Sequence, residues 1–299
     1  MGGGMIPHPI PYQGSKRGLA RKIMDYLPAD MNRLIEPFAG SAALSLAVAY
    51  ERKGRGFVLN DVNAPLIELW QMIIDQPAFL SAAYEKLWQA QRGQERRYYD
   101  LIRDRFNKTH RPYYLLYLLA RCVKAAVRYN IRGEFNQSPD NRRSGRRPEA
   151  MRADIYAASE LLRCRTQLQS GDYRDCLRLA TSQDVIYMDP PYQGVGAARD
   201  PRYIHSVRFE EFVETLADLN QRQLAYIVSY DGRTGAKKYG SPLPEFLQLT
   251  HIELDAGRSS QATLLGRSDR TYESLYLSPI LVSKLNLKLP EQATQLVLF

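Results

Sequence analysis

Short apolar runs that end in a polar or small residue alternate along this chain with stretches whose apolar positions return every three or four residues. The first pattern predicts buried strands and the second amphipathic helices. Leu34-Ile35-Glu36 reads as a strand, residues 37–43 as a turn of small residues, and residues 44–50 as a helix. Gly56-Phe57-Val58-Leu59 is a second strand, ending at Asn60-Asp61. Residues 184–188 are apolar enough for a parallel strand covered on both faces. Residues 209–220 form an amphipathic helix and residues 224–230 a further strand. Residues 250–254 and 274–278 close the sheet, one of them antiparallel. Strands alternating with helices in this order predict an α/β fold, a sheet with helices on both faces.

One stretch interrupts that alternation. From Phe79 onward, Leu80, Tyr84, Leu87 and Trp88 fall at helical spacing, then Tyr98, Leu101, Ile102 and Phe106, and residues 113–127 continue in the same way. The aromatics read as core. Residues 133–148 are almost without apolar side chains and mix Asn, Ser, Gly and Pro with Arg142, Arg143, Arg146 and Arg147, which predicts a loop that is mobile without a partner. The organisation expected is a sheet domain from residues 5–75 and 160–299, with a mainly helical insert at 76–159.

Charge separates the same segment. The chain carries 41 Lys and Arg against 32 Asp and Glu, a net of +9. Between Arg92 and Arg152 there are 16 basic and 6 acidic residues, which leaves the rest nearly neutral. A basic segment on a neutral body is the footprint of a polyanion binder.

Candidate chemistry lies at two strand ends. Asp189-Pro190-Pro191-Tyr192 follows the strand at 184–188, where open α/β sheets bind their ligands. An exocyclic amino group on a nucleobase is a poor nucleophile because its lone pair is delocalised into the ring. Acceptors that hold its protons draw the nitrogen toward tetrahedral geometry. Asp189 offers a carboxylate and Pro190 a backbone carbonyl, and proline fixes φ so that both acceptors are preset. Tyr192 offers a flat face to a base taken out of its stack. At the other strand end, the small-residue turn after Glu36 lets a ligand approach the backbone, and the helix that follows presents free N–H groups. Only Gly40 is present, so the turn is not a dinucleotide fingerprint. Asp61, about 20 residues beyond, has the spacing at which an acidic residue meets ribose hydroxyls. Together these read as a nucleoside-cofactor pocket.

Glu36-Pro37-Phe38-Ala39-Gly40, Asn60-Asp61 and Asp189-Pro190-Pro191-Tyr192, in that order, resemble the DNA adenine methyltransferases of the Dam type. The resemblance extends to Tyr12-Gln13-Gly14-Ser15-Lys16 and to residues 128–136, Arg128-Tyr129-Asn130-Ile131-Arg132-Gly133-Glu134-Phe135-Asn136, and so covers most of the chain. It implies a Rossmann-like methyltransferase domain that uses S-adenosyl-L-methionine, with a target-recognition domain inserted before the catalytic half. It puts Tyr12 and Lys16 against the cofactor, Glu36, Phe38 and Gly40 at its methionine end, Asp61 on the ribose and Asp172-Tyr173 beside its adenine. Asp189 serves both cofactor and target, with Pro190 and Tyr192. In the insert, Arg128 matches an arginine that contacts a base edge, and Lys124, Asn130, Arg132, Asn136, Arg142, Arg143 and Arg146 are the other candidates for DNA. Two departures bear on target choice. Pro11 stands where enzymes reading GATC carry a lysine, and Val123, Lys124 and Ala126 replace residues that enter the duplex or touch a base. The recognition sequence stays open.

The expected activity is transfer of methyl from S-adenosylmethionine to N6 of a flipped adenine in double-stranded DNA. The alternatives are N4-cytosine methylation, in which Ser is more usual at position 189, and a catalytically silent DNA-binding module on the same fold. Cys122, Cys164 and Cys176 lack metal-type spacing, and the four His are scattered, so no metal is expected. No apolar run is long enough for a membrane span. A cytoplasmic protein of prokaryotic or phage origin is expected, monomeric or weakly dimeric, with a cognate restriction endonuclease as one conceivable partner.

Overall fold

In the computed structural model, residues 5–191, 207–234, 237–239, 242–258 and 270–287 are described. Tyr192, the Gly- and Ala-rich stretch at 193–201 expected as a lid, and most of the segment at 257–270 expected near phosphates lie outside them. Eight strands form one sheet: β1 (Arg33–Glu36), β2 (Gly56–Asp61), β3 (Thr166–Ser170), β4 (Val185–Met188), β5 (Ala225–Thr234), β6 (Lys237–Tyr239), β7 (Thr250–Arg258) and β8 (Arg270–Leu277). Their order is β3-β2-β1-β4-β5-β8-β7, with β6 paired to β5. Strands β1 to β5 are mutually parallel, and β8 runs antiparallel between β5 and β7. The expected α/β class and the single reversed closing strand are both present.

Successive residues of each strand serve opposite faces. Leu34, Phe57, Val185 and Ile227 join the core on one side, while Ile35, Val58, Ile186 and Val228 join the core on the other. Both faces are covered, so all four residues of β4 are buried, which is why its sequence reads as a continuous apolar run. Helix α1 is Ala20–Met24, α2 is Ala43–Tyr50 and α3 is Ala64–Asp75. The sheet grows outward from β1 to β2 and β3, then returns to place β4 on the other side of β1. The crevice between β1 and β4 is therefore the topological switch point, where such sheets bind ligands.

Residues 77–162 contribute α4 (Pro77–Ala90), α5 (Glu95–Thr109), α6 (Pro112–Arg121) and α7 (Pro148–Leu162). Tyr84, Tyr99, Tyr117 and Phe106 are fully buried, so the aromatics that mark these helices are core as expected. Helices α6 and α7 pack on α3, and α7 also packs on α2. The remaining α-helices among the described residues are α8 (Tyr173–Leu177), α9 (Phe209–Gln221) and α10 (Pro279–Leu285).

Two expectations are corrected. The helix foreseen over 113–127 stops at Arg121: Cys122 turns extended with ψ 159°, and Lys124 and Ala125 take positive φ of 57° and 51°. The cause is pairing with distant chain, since Val123 N–H donates to the Ser138 carbonyl and Cys122 bridges Pro139. The arginine-rich loop is not loose either. Tyr84 and Tyr99 hydroxyls donate to the carbonyls of Arg146 and Gln137 at 2.7 and 2.9 Å, and Gln91 and the buried Arg121 donate to those of Ser144 and Asp140 at 2.9 and 3.1 Å. Phe135 is the one large apolar side chain of this stretch to reach the core, and beyond it neighbouring elements hold the loop by its backbone. No helix among the described residues is long and apolar enough to cross a membrane.

Candidate active site

Glu36 ends β1, Asp61 ends β2, and Asp189 follows β4, so three carboxylates meet at the carboxyl edge of adjacent strands. The turn after β1 is tied from several directions. Gly40 and Ala42 adopt left-handed φ of 47° and 45°. Trp70 donates its indole N–H to the Gly40 carbonyl at 3.0 Å, and Asn60 donates its amide to the carbonyls of Pro37 and Gly171 at 2.9 and 3.1 Å. Asp61 accepts the Gly40 N–H at 3.1 Å and the Asn63 N–H at 3.0 Å, and its burial pushes its carboxyl up from the ordinary range. A methyl group on Gly40 would lie 3.2 Å from the Tyr12 ring, so that ring covers the turn because the glycine has no side chain.

Glu36 is 3% exposed and accepts the Ser45 N–H, in the first turn of α2, at 2.8 Å. Burial outweighs that bond and pushes the carboxyl up to about 7, with the nearby Asp189 adding in the same direction. An acid whose folded pKa exceeds its unfolded value loses stability as pH rises between the two. The ligand-free protein therefore has its Glu36 contribution intact below about pH 4.5 and loses it by about pH 7, a cost of about 3 kcal/mol. Glu36→Gln keeps the acceptor for Ser45 and removes the charge. Its melting temperature should exceed wild type at pH 8 and match it at pH 4.5. Equal melting temperatures at pH 8 would mean that Glu36 is well solvated or partnered when ionised.

The loop before the first strand reaches into this crevice. Lys16 Nζ lies 3.1 Å from Asp189 Oδ1 and 3.6 Å from Glu273 Oε2 of β8. The Ser41 hydroxyl donates to that of Ser15 at 2.7 Å, joining the loop to the β1 turn. Burial raises the Asp189 carboxyl and the Lys16 ammonium lowers it, with the burial effect larger. Phe38 stacks at a tilt on Tyr173, with ring centroids 5.0 Å apart, and Tyr173 in turn packs on Phe212. Pro190 is buried directly after Asp189. Tyr12, Lys16, Glu36, Phe38, Gly40, Asp61, Tyr173 and Asp189 thus gather at one edge. Asp172 does something further: it caps α8 through the Arg174 N–H and pairs with the Arg174 guanidinium at 2.7 Å, which holds its carboxyl below the usual range.

The sequence pattern of the D12 class N6 adenine-specific DNA methyltransferases matches residues 12–241, which include every element of this edge up to β6. The chain belongs to that class. It is 30% identical over 222 residues to a DNA adenine methylase of Serratia marcescens, covering 73% of this chain and 76% of that protein. It is 29% identical over 204 residues to a DNA adenine methylase of Salmonella typhi, covering 67% and 70%. It is also 30% identical over 232 residues to a DNA N-6-adenine-methyltransferase of Escherichia phage P1, where the match takes in 74% of this chain but 29% of that longer protein.

In this D12-class chain the candidate DNA residues lie on or beside a short hairpin and on the loop that follows it. Tyr129 and Phe135 pair across it, and the Asn130 side chain closes the tip by accepting from the N–H groups of Arg132 and Glu134. Asn130 also donates to the Glu134 carboxylate at 2.8 Å, so its polar atoms are spent on the turn. Arg128 is half-buried, whereas Lys124, Arg132, Asn136, Arg142 and Arg143 are exposed. Arg143 reaches Asp140 at 3.7 Å, and Arg146 is paired with Asp154 of α7 at 2.6 Å. Two contacts bind this region to the crevice. The Gln13 N–H donates to the Ala125 carbonyl at 2.9 Å, and the buried Tyr129 hydroxyl donates to Asn63 at 3.2 Å. Sequence reasoning missed Glu273. Its one signal is a carboxylate inside a strand, immediately before the buried run at 274–277. Among the described residues no cluster of three or more His, Cys, Asp or Glu side chains is arranged for a metal ion.

Proposed function

We propose that this D12-class enzyme methylates N6 of an adenine flipped out of double-stranded DNA, with S-adenosylmethionine as methyl donor. The observation that carries the reading is Asp189 at the end of β4, half-buried beside Glu36 and Lys16 in the switch-point crevice and followed directly by the buried Pro190. The crevice suits the cofactor. The Gly40 turn is a cradle that any side chain would fill, and the surrounding acids favour a cationic ligand. Tyr12, Lys16, Glu36, Phe38, Gly40, Asp61, Asp172 and Tyr173 are the residues proposed to hold it. When bound, it supplies an electrophilic methyl group on a positively charged sulfur.

The chain's own residues then act on the target base. The Asp189 carboxylate and the Pro190 carbonyl accept the two protons of the adenine amino group and draw its lone pair out of the ring. Tyr192 supports the base, whose extrusion from the duplex costs a few kcal/mol. The nitrogen attacks directly, so no covalent enzyme intermediate forms, and its surplus proton leaves after transfer without a strong base. Residues 76–159 are proposed as the target-recognition region, with Arg128 at a base edge and Lys124, Arg132, Asn136, Arg142 and Arg143 along the backbone. Asn130 and Arg146 belong to this set through the hairpin and loop that they brace.

Incubation with S-adenosylmethionine and unmethylated genomic DNA, followed by single-molecule sequencing for modified bases, tests the proposal. N6-methyladenine confined to one short sequence is the expected result and gives the recognition site. N4-methylcytosine, or no modified base with DNA binding intact, would overturn it.

A further inference from the structure

Lys16 stands between two carboxylates delivered by different strands. The side chains of Lys16, Asp189 and Glu273 are 10%, 23% and 21% exposed, so water screens their interactions only in part. Glu273 sits opposite Gly232, just past a register shift between β5 and β8. That close approach depends on the glycine, since a methyl group on Gly232 would lie 2.7 Å from the Tyr272 carbonyl oxygen. Glu273 Oε2 is buried and makes no hydrogen bond, for its contact with Lys16 is an ion pair at 3.6 Å. A carboxylate oxygen left in that condition calls for an explanation.

Competition for Asp189 supplies one. The Lys16 ammonium and an adenine amino group both donate to the same carboxylate. With Asp189 as its sole counter-ion, Lys16 would hold that carboxylate against the incoming base. A second carboxylate 3.6 Å away gives the ammonium another place to rest its charge. We propose that Glu273 is a positioning residue for methyl transfer: it draws Lys16 toward β8 and so leaves the Asp189 carboxylate available to the adenine amino group. The proposal rests on the reading that Asp189 holds that amino group.

The charged and titratable groups facing Asp189 are Lys16 from the loop before α1, Glu36 from β1, Tyr187 from β4 and Glu273 from β8. Among them Lys16 lowers the Asp189 carboxyl and Glu273 raises it. Glu273→Gln preserves shape and removes the charge. The single-turnover rate of methyl transfer at its plateau should fall about tenfold, and the acid limb of its pH profile should move to lower pH, because Asp189 loses a group that raises it. Melting temperature and affinity for S-adenosylhomocysteine should stay at wild-type values, and Glu273→Asp should recover part of the rate. In a Lys16→Met background the same Glu273→Gln change should cost less than about twofold, since its effect runs through the lysine.

An unchanged rate or acid limb in Glu273→Gln, an equal loss of rate and of S-adenosylhomocysteine affinity, or an undiminished loss in the Lys16→Met background would each overturn the role of Glu273. A wild-type protein that transfers no methyl to adenine would overturn the reading of Asp189, and this proposal with it.

Discussion

Asp189→Ala should lower the rate of methyl transfer by about a thousandfold or more while leaving DNA affinity within a few fold of wild type. The first half follows from chemistry. An amino nitrogen conjugated with its ring becomes nucleophilic only where acceptors are fixed before it arrives, and of the two acceptors proposed Asp189 is the one that carries full charge. The Pro190 carbonyl alone leaves the second proton unheld. The second half follows from where the charge lies. The basic residues between Arg92 and Arg152 are untouched, and they are the residues proposed to supply the salt-dependent part of DNA binding. Asp189→Asn separates charge from shape: it keeps one acceptor oxygen but adds a donor that repels the adenine amino group, so its rate should stay within about tenfold of the alanine variant. Single-turnover transfer and an equilibrium DNA titration measure both halves. Substantial transfer by Asp189→Ala would assign the amino group to another acceptor, with Glu36 and Glu273 the nearest alternatives.

The strands of this enzyme were legible in its sequence because burial on both faces leaves a plain signature. Residues 185–188 are apolar without interruption and are buried without interruption. The crevice was legible for a related reason: Glu36, Asp61 and Asp189 each stand at the end of such a run, and parallel order brings those ends together. What escaped reading depends on partners far along the chain. Nothing local stops α6 at Arg121, where the turn is set by pairing with residues 138 and 139. The composition of residues 133–148 predicts a mobile loop because composition counts only local side chains, whereas four donors on other elements bind that backbone. Glu273 was invisible because its meaning lies in a lysine more than 250 residues earlier, brought to it by β8. Asp172 shows the reverse limit. Its local role as a helix cap is evident in the structure, and the role implied by resemblance is a matter for ligand binding.

Gly40→Val should cut affinity for S-adenosylhomocysteine by about a hundredfold or more. Two costs combine. Gly40 sits at φ 47°, where a residue with a Cβ is strained by about 1–2 kcal/mol and a β-branched one by more. The added side chain also enters the space of the Tyr12 ring, which is 3.2 Å from where the first carbon would be. Neither cost is easily relieved. The Gly40 N–H is bound to Asp61 and its carbonyl to Trp70, so rotating the peptide to a comfortable φ would break both bonds. The ring must then move, and with it the cover of the proposed methionine end. Gly40→Ala should show the same effect at about tenfold, having less strain and less bulk. Gly54→Ala is the control. Gly54 also has a left-handed φ, 65°, and a methyl there would also meet a neighbour at 3.2 Å, but that neighbour is the flexible end of Met31, away from the crevice. It should cost stability without costing cofactor affinity. Calorimetric titration with S-adenosylhomocysteine, beside thermal melts of the three variants, distinguishes local closure of the turn from general loosening. Wild-type affinity in Gly40→Val would show that the turn after β1 does not hold the cofactor. A loss of equal size in Gly54→Ala would show that the fold, rather than the cradle, had been damaged.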